Sequence, residues 1–190
     1  RTEARFVALG RIQEALDAGE LCLHYQPKVD LRSGRPVGME ALLRWNHPAD
    51  GMVPPAQFLP LIEHTGLGVT VGRWVIQQAL AELDRWLADG LALTLSVNVS
   101  ARHLQEPAFA AQLEAMLAGY RTPVGAHLVL EILETTALAD IDDSSEDGKQ
   151  LLASARHILK SLGKLDAEAM SLADMADIEP WGLPAVKLEP

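Results

Sequence analysis

Three short apolar runs, Val37–Trp45, Leu93–Val99 and Leu128–Ile132, are separated by stretches with helical periodicity. Runs of this length bounded by turn residues read as buried strands. Strands spaced by helices make a parallel sheet covered on both faces, so the pattern alone restricts the chain to an α/β architecture. Each run also carries one oxygen-bearing side chain: Glu40 in the first, Asn98 in the second and Glu131 in the third. A carboxylate in such a run is costly unless a cation or a set of hydrogen bonds satisfies it. Three strands converging three oxygen donors on one place is therefore the organising expectation.

Read in order, the chain opens with a helix from Ala4 to Ala18, in which Phe6, Leu9, Ile12, Ala15 and Leu16 form one apolar face and Gly19 supplies a stop. Leu21–Val29 and Pro36–Trp45 are expected strands joined by the turn Leu31–Arg35. So short a connection makes them an antiparallel hairpin, because parallel neighbours need a much longer crossover. Asn46–Pro55, rich in proline, reads as loop, and a short helix follows from Pro55 or Ala56 to His64, ended by Gly66. The longest helix spans Thr70 to Ala88, with Val71, Trp74, Val75, Leu83, Trp86 and Leu87 on one stripe and Asp89-Gly90 at its close. Ala92–Val99 is a strand, Ser100–Gln105 a cap and turn, Pro107–Ala118 a helix and His127–Ile132 a strand. Beyond these, Thr135–Asp140 is at most a short helix and Asp140–Gly148 a flexible connection. Leu151–Leu162 is an amphipathic helix, while Met170–Ala176 and Ala185–Leu188 carry weaker helix and strand patterns.

At 190 residues the chain has the length of one well-cored domain. Its formal net charge of −10 opposes nonspecific DNA or RNA binding, which draws its affinity from basic surface. A small anion remains compatible, since a local arginine or a bound metal overrides the net field. The single cysteine, Cys22, forms no intrachain disulfide and suits a reducing compartment. No apolar run reaches the length of a membrane span. The chain begins without a methionine, which reads as a domain cut from something larger.

Strand alternation refines the donor set. In Leu91–Val99 the leucines and valines occupy one face and Asn98 the other, and in the later run Glu131 shares a face with Val129 rather than with Leu128, Leu130 and Ile132. Functional side chains of α/β barrels sit at the C-terminal ends of strands, and Glu40, Asn98 and Glu131 suit such positions. Carboxylates with an amide oxygen are hard donors, matched to Mg²⁺ or Mn²⁺ rather than to zinc. For any one of the three, capping of backbone or pairing with a nearby arginine is the commoner outcome; three together favour a shared site. Arg44 follows Glu40 on the same face and reads either as a phosphate clamp or as the structural partner of Glu40. Gln26 can hydrogen-bond a ligand. The six histidines show no metal-ligand spacing, and there is no phosphate-binding P-loop, nucleophile elbow or zinc pattern.

The ordered motifs carry a resemblance. Tyr25-Gln26-Pro27, Glu40-Ala41-Leu42-Leu43-Arg44-Trp45, His47-Pro48, Gly51, Phe58-Leu59-Pro60, Thr65-Gly66, Ser96-Val97-Asn98-Val99-Ser100 and Leu130-Glu131-Ile132 run in one order over about the first 140 residues. In this the chain resembles the EAL domain, a bacterial cyclic di-GMP phosphodiesterase module. The resemblance implies a TIM-like (β/α) barrel with one antiparallel strand, formed by a single domain over residues 1–190. It implies that Glu40, Asn98 and Glu131 help hold a divalent metal pair, Mg²⁺ or Mn²⁺, with Asp166 as a further ligand and catalytic group. It also implies that Gln26, Leu43 and Arg44 contact the cyclic dinucleotide, and that Lys187 lies near the attacking water. The implied product is linear pGpG, and the implied setting is a cytoplasmic module, homodimeric and fused to sensory or signalling domains.

The second half departs from that pattern. After Ser161-Leu162-Gly163 the sequence Lys164-Leu165-Asp166-Ala167 lacks the family's Asp-Asp-Phe-Gly-Thr-Gly, and the last two barrel strands are missing. A complete barrel takes roughly 250 residues, so this one is incomplete or lacks loops. Absent loop residues, a shortened chain and a degenerate domain that binds without cutting each account for the departure. The survival of the flanking helix and strand patterns favours the first. The alternative function is a catalytically inactive cyclic di-GMP receptor, and a third is an unrelated TIM-barrel enzyme.

Overall fold

The expected hairpin is present in the computed structural model, which describes residues 2–132. β1 (Leu21–Val29) and β2 (Pro36–His47) pair antiparallel, from Leu21 opposite Trp45 to Val29 opposite Pro36. The Asp30 carboxylate shapes the turn by accepting from the backbone N–H groups of Arg32 at 2.9 Å and Ser33 at 2.7 Å. Gly34 completes it at φ 67°, a left-handed conformation open to glycine at little cost.

Helix α1 (Thr2–Asp17) precedes the hairpin, and β3 (Gly51–Val53), α2 (Pro55–Ile62), α3 (Gly66–Ala88) and β4 (Thr94–Val99) follow it. Short helix α4 (Ala101–Leu104), α5 (Phe109–Ala118), the single turn α6 (Val124–His127) and β5 (Leu128–Ile132) complete the described chain. β2, β4 and β5 run parallel in the order β1-β2-β4-β5, and β3 pairs with the far end of β2. This mixed sheet with helices against it is a partial TIM-like barrel. Asp166, Lys187 and the elements expected after Ile132 lie outside the described residues.

Three expectations are corrected. Asn46–Pro55 is not wholly loop: β2 continues to His47, whose Nδ1 accepts from the N–H groups of Ala49 and Asp50, and the reversed chain pairs as β3. Gly66 does not end a helix but begins α3, because Thr65 is extended and its side chain accepts from the Gly68 N–H as an N-cap. Phe6 does not join the core. It is 70% exposed, while the later turns of α1 meet the core, burying Ile12 and Ala15 with Leu9 and Leu16 beside them.

The core lies between one sheet face and the helices. Leu21, Ala41, Trp45, Leu95, Val97, Val99 and Leu128 meet the α3 stripe of Val75, Ile76, Ala79, Leu80 and Leu83. Each fully buried aliphatic or aromatic side chain of this set is worth about 1.5–3 kcal/mol relative to exposure. Trp86 is buried and Trp74 packs at the margin, in agreement with a packing role. A polar clasp fixes α1 to the hairpin: Glu20 accepts from the Arg11 guanidinium at 2.6 Å and from the Trp45 indole N–H at 2.9 Å. The indole bond first, then Arg11, holds the Glu20 carboxyl below its usual range.

Close approach also decides the junction of α3 with α4. His103 is 2% exposed, stands edge-on to Phe109 and abuts Gly72. A Cβ at residue 72 would come within 2.6 Å of His103 Nδ1, so the absence of a side chain is what admits the ring. Gly72→Ala should destabilise the fold by about 1–3 kcal/mol in urea unfolding, the usual cost of overpacking. Burial, then the Arg73 charge, pushes the His103 imidazole down to about 4 from 6.5. Between these pH values the unfolded chain binds the extra proton, so stability is full above about 6.5, declines as pH falls towards 4 and is then level in this respect. From pH 7 to pH 4.5 the parent should lose on the order of 2 kcal/mol more than His103→Gln, read from paired urea titrations.

Candidate active site

The face of the sheet opposite the core carries the polar side chains. Register sets them in rows, with Gln26 opposite Glu40, Glu40 opposite Ser96, Ser96 opposite Val129, and Asn98 opposite Glu131. Paired residues project to the same side of a sheet, so Gln26, Glu40, Ser96, Asn98 and Glu131 share one face. Three of the expected donors therefore come together, from three adjacent parallel strands. Asn98 Nδ2 donates to Glu40 Oε1 at 2.9 Å, linking β4 diagonally to β2.

Arg44 lies on the same face, two positions of that alternation beyond Glu40. Its guanidinium donates to the Leu43 carbonyl at 2.8 Å, whereas the hydrogen bond recorded for Glu40 comes from Asn98. Gln26 is exposed on β1. Leu43 is not brought to this face: it is paired with Leu23, and its side chain packs against the core. Only its carbonyl meets the site, through Arg44.

The sequence reading missed Lys28 and Ser96. Lys28 donates to the Ser96 hydroxyl at 2.7 Å and forms an ion pair with Glu131. Lys28 stands opposite Gly38, which presents no side chain, so the lysine stem crosses β2 to reach β4 and β5. The available signal was the period-two spacing of Gln26 and Lys28, which assigns both to one face.

The donor set is two carboxylates and one amide, and no three His, Cys, Asp or Glu side chains cluster as a metal site among the described residues. Hard oxygen donors of this type fit a divalent cation such as Mg²⁺ or Mn²⁺. Glu131 is at the same time paired with the Lys28 ammonium, so its charge is already met by a side chain of the sheet.

Residues 9–188 match the model of the EAL domain family, and the chain belongs to that family. It is 42% identical over 144 residues, 75% of its length, to the bifunctional diguanylate cyclase/cyclic di-GMP phosphodiesterase MucR of Pseudomonas aeruginosa. It is 38% identical over 106 residues, 56% of its length, to the cyclic di-GMP phosphodiesterase PdeR of Escherichia coli. These alignments span only 21% and 16% of the respective relatives. Among solved structures, the PaMucR phosphodiesterase in complex with c-di-GMP superposes with a TM-score of 0.67 at 40% identity, over 77% of this chain and 60% of that one.

Asn98→Asp exchanges the donor on Glu40 for a second carboxylate. In metal-free buffer it should lower stability by about 1–3 kcal/mol, measured by urea unfolding, since a hydrogen bond becomes a repulsion.

Proposed function

We propose that the chain is a cyclic di-GMP phosphodiesterase domain, yielding linear pGpG in bacterial second-messenger signalling. The observation that carries this reading is the meeting of Glu40, Asn98 and Glu131 on one sheet face, in an EAL-family chain whose relatives are named as cyclic di-GMP phosphodiesterases. In this reading Glu40, Asn98 and Glu131 hold divalent metal, with Asp166 as a further ligand and Lys187 near the attacking water. A Mg²⁺ or Mn²⁺ pair, when bound, supplies water activation and stabilisation of the leaving oxygen. Arg44 presents its remaining guanidinium donors to a phosphate, and Gln26 offers an exposed amide to the same ligand. The Asn98 amide orients the Glu40 carboxylate.

The wider setting belongs to the same proposal: a cytoplasmic, homodimeric module joined to sensory or signalling domains. The joining to further domains draws support from the small share of its relatives that the chain spans. Among the described residues no helix is long and apolar enough to cross a membrane. The net charge of −10 speaks against nucleic acid as partner.

Incubation of the purified chain with cyclic di-GMP and Mn²⁺, followed by chromatography, should reveal pGpG. Glu40→Ala should cut the rate by at least about a hundredfold, more than loss of a typical outer-shell group. Tight nucleotide binding without turnover in any divalent metal would instead select the receptor function, to which the altered sequence after Asp166 points.

A further inference from the structure

Lys28 makes two contacts that the proposed chemistry does not use. Its ammonium bridges the Ser96 hydroxyl on β4 and the Glu131 carboxylate on β5, reaching across β2 at Gly38. Ser96 is 1% exposed and therefore a fixed anchor, while the ion pair is only partly screened, with 28% of the Lys28 and 30% of the Glu131 side-chain surface exposed. Resting on the metal-site reading above, we propose that Lys28 is an internal counter-cation, a positioning residue that holds Glu131 in the metal-free site and is exchanged for the divalent ion on loading.

The argument is electrostatic and geometric. Glu40 and Glu131 both project from the same sheet face, and each carboxylate is held by a neighbour on that face. Asn98 supplies one N–H to Glu40, and Lys28 supplies a full charge to Glu131. A divalent ion arriving on Glu131 meets an ammonium already in contact with that carboxylate, and the two cations repel at a few ångströms. The ion pair must therefore open, and the work of opening it subtracts from metal affinity. Ser96 gives the displaced ammonium a second partner on the sheet surface. The cost is modest because the pair is partly solvated.

The test uses the full chain. Calorimetric titration with Mn²⁺ alone should show Lys28→Met binding about three- to tenfold more tightly than the parent, the size expected for a partly exposed pair. Arg35→Gln, which removes the same charge from the exposed turn before β2, should leave that affinity within about twofold, screening having erased its distant effect. Metal-free Lys28→Met should melt below the parent, the gap closing at saturating Mn²⁺. A parent experiment guards against a variant that fails to fold: the ¹⁵N resonance of the Lys28 ammonium should shift during Mg²⁺ titration with the same midpoint as binding. Equal or weaker Mn²⁺ binding by Lys28→Met, or an ammonium resonance indifferent to Mg²⁺, overturns the exchange. A parent that takes up neither ion overturns the metal-site reading and this inference together, an outcome distinguishable from the other two.

Discussion

Side-chain alternation along β2, β4 and β5 divides the sheet into two chemically opposed faces, and the core holds that division in place. Ala41, Leu95, Val97 and Leu128 are each no more than 3% exposed, and the first three are each adjacent in sequence to Glu40 or Ser96 of the opposite face. A slip of one residue in any of these strands would expose the core set and bury Glu40, Ser96 or Glu131 among the helices. The burial energy of a few aliphatic side chains, none of which touches the site, thus enforces the meeting of the donors. Packing chooses the register, and the register assembles the chemistry.

That dependence explains what was legible in the sequence. The hairpin, the parallel strands and the polar-face membership of Glu40, Asn98 and Glu131 follow from period-two patterns and connection lengths, which are local. β3 was not legible, because it exists only when His47 closes a turn that brings Gly51–Val53 back along β2. Thr65 could have been read as a cap, but Gly66 beside it carries an equally good stop signal; the extended Thr65, accepting from the Gly68 N–H, decides between them. Lys28 eluded the reading for a different reason: its role depends on a long side chain crossing two strand spacings over a glycine, a relation among residues 28, 38, 96 and 131 that no sequence window contains.

Two of the site's polar links differ in kind. Asn98 to Glu40 is an amide–carboxylate bond between neighbouring strands, short in reach and fixed by register. Lys28 to Glu131 spans residues 103 apart in the chain and joins the antiparallel edge to the parallel sheet. The first orients a donor; the second couples the hairpin to β5. Under the proposed exchange, loading the site with metal would act on the attachment of β1 as well as on the donors themselves.

Leu43 supplies a last consequence. Parallel pairing of β2 with β4 ends at Ala41 opposite Val97, and pairing with β3 begins only at Trp45 opposite Val53. In the interval the Leu43 carbonyl takes its hydrogen bond from the Arg44 guanidinium. Position 43 thus serves two masters through separate atoms: its side chain answers to the core, and its backbone oxygen tethers the arginine. Exchange of Leu43 for another apolar residue would be felt by the packing, while Arg44 would keep its tether, since every amino acid brings the same carbonyl.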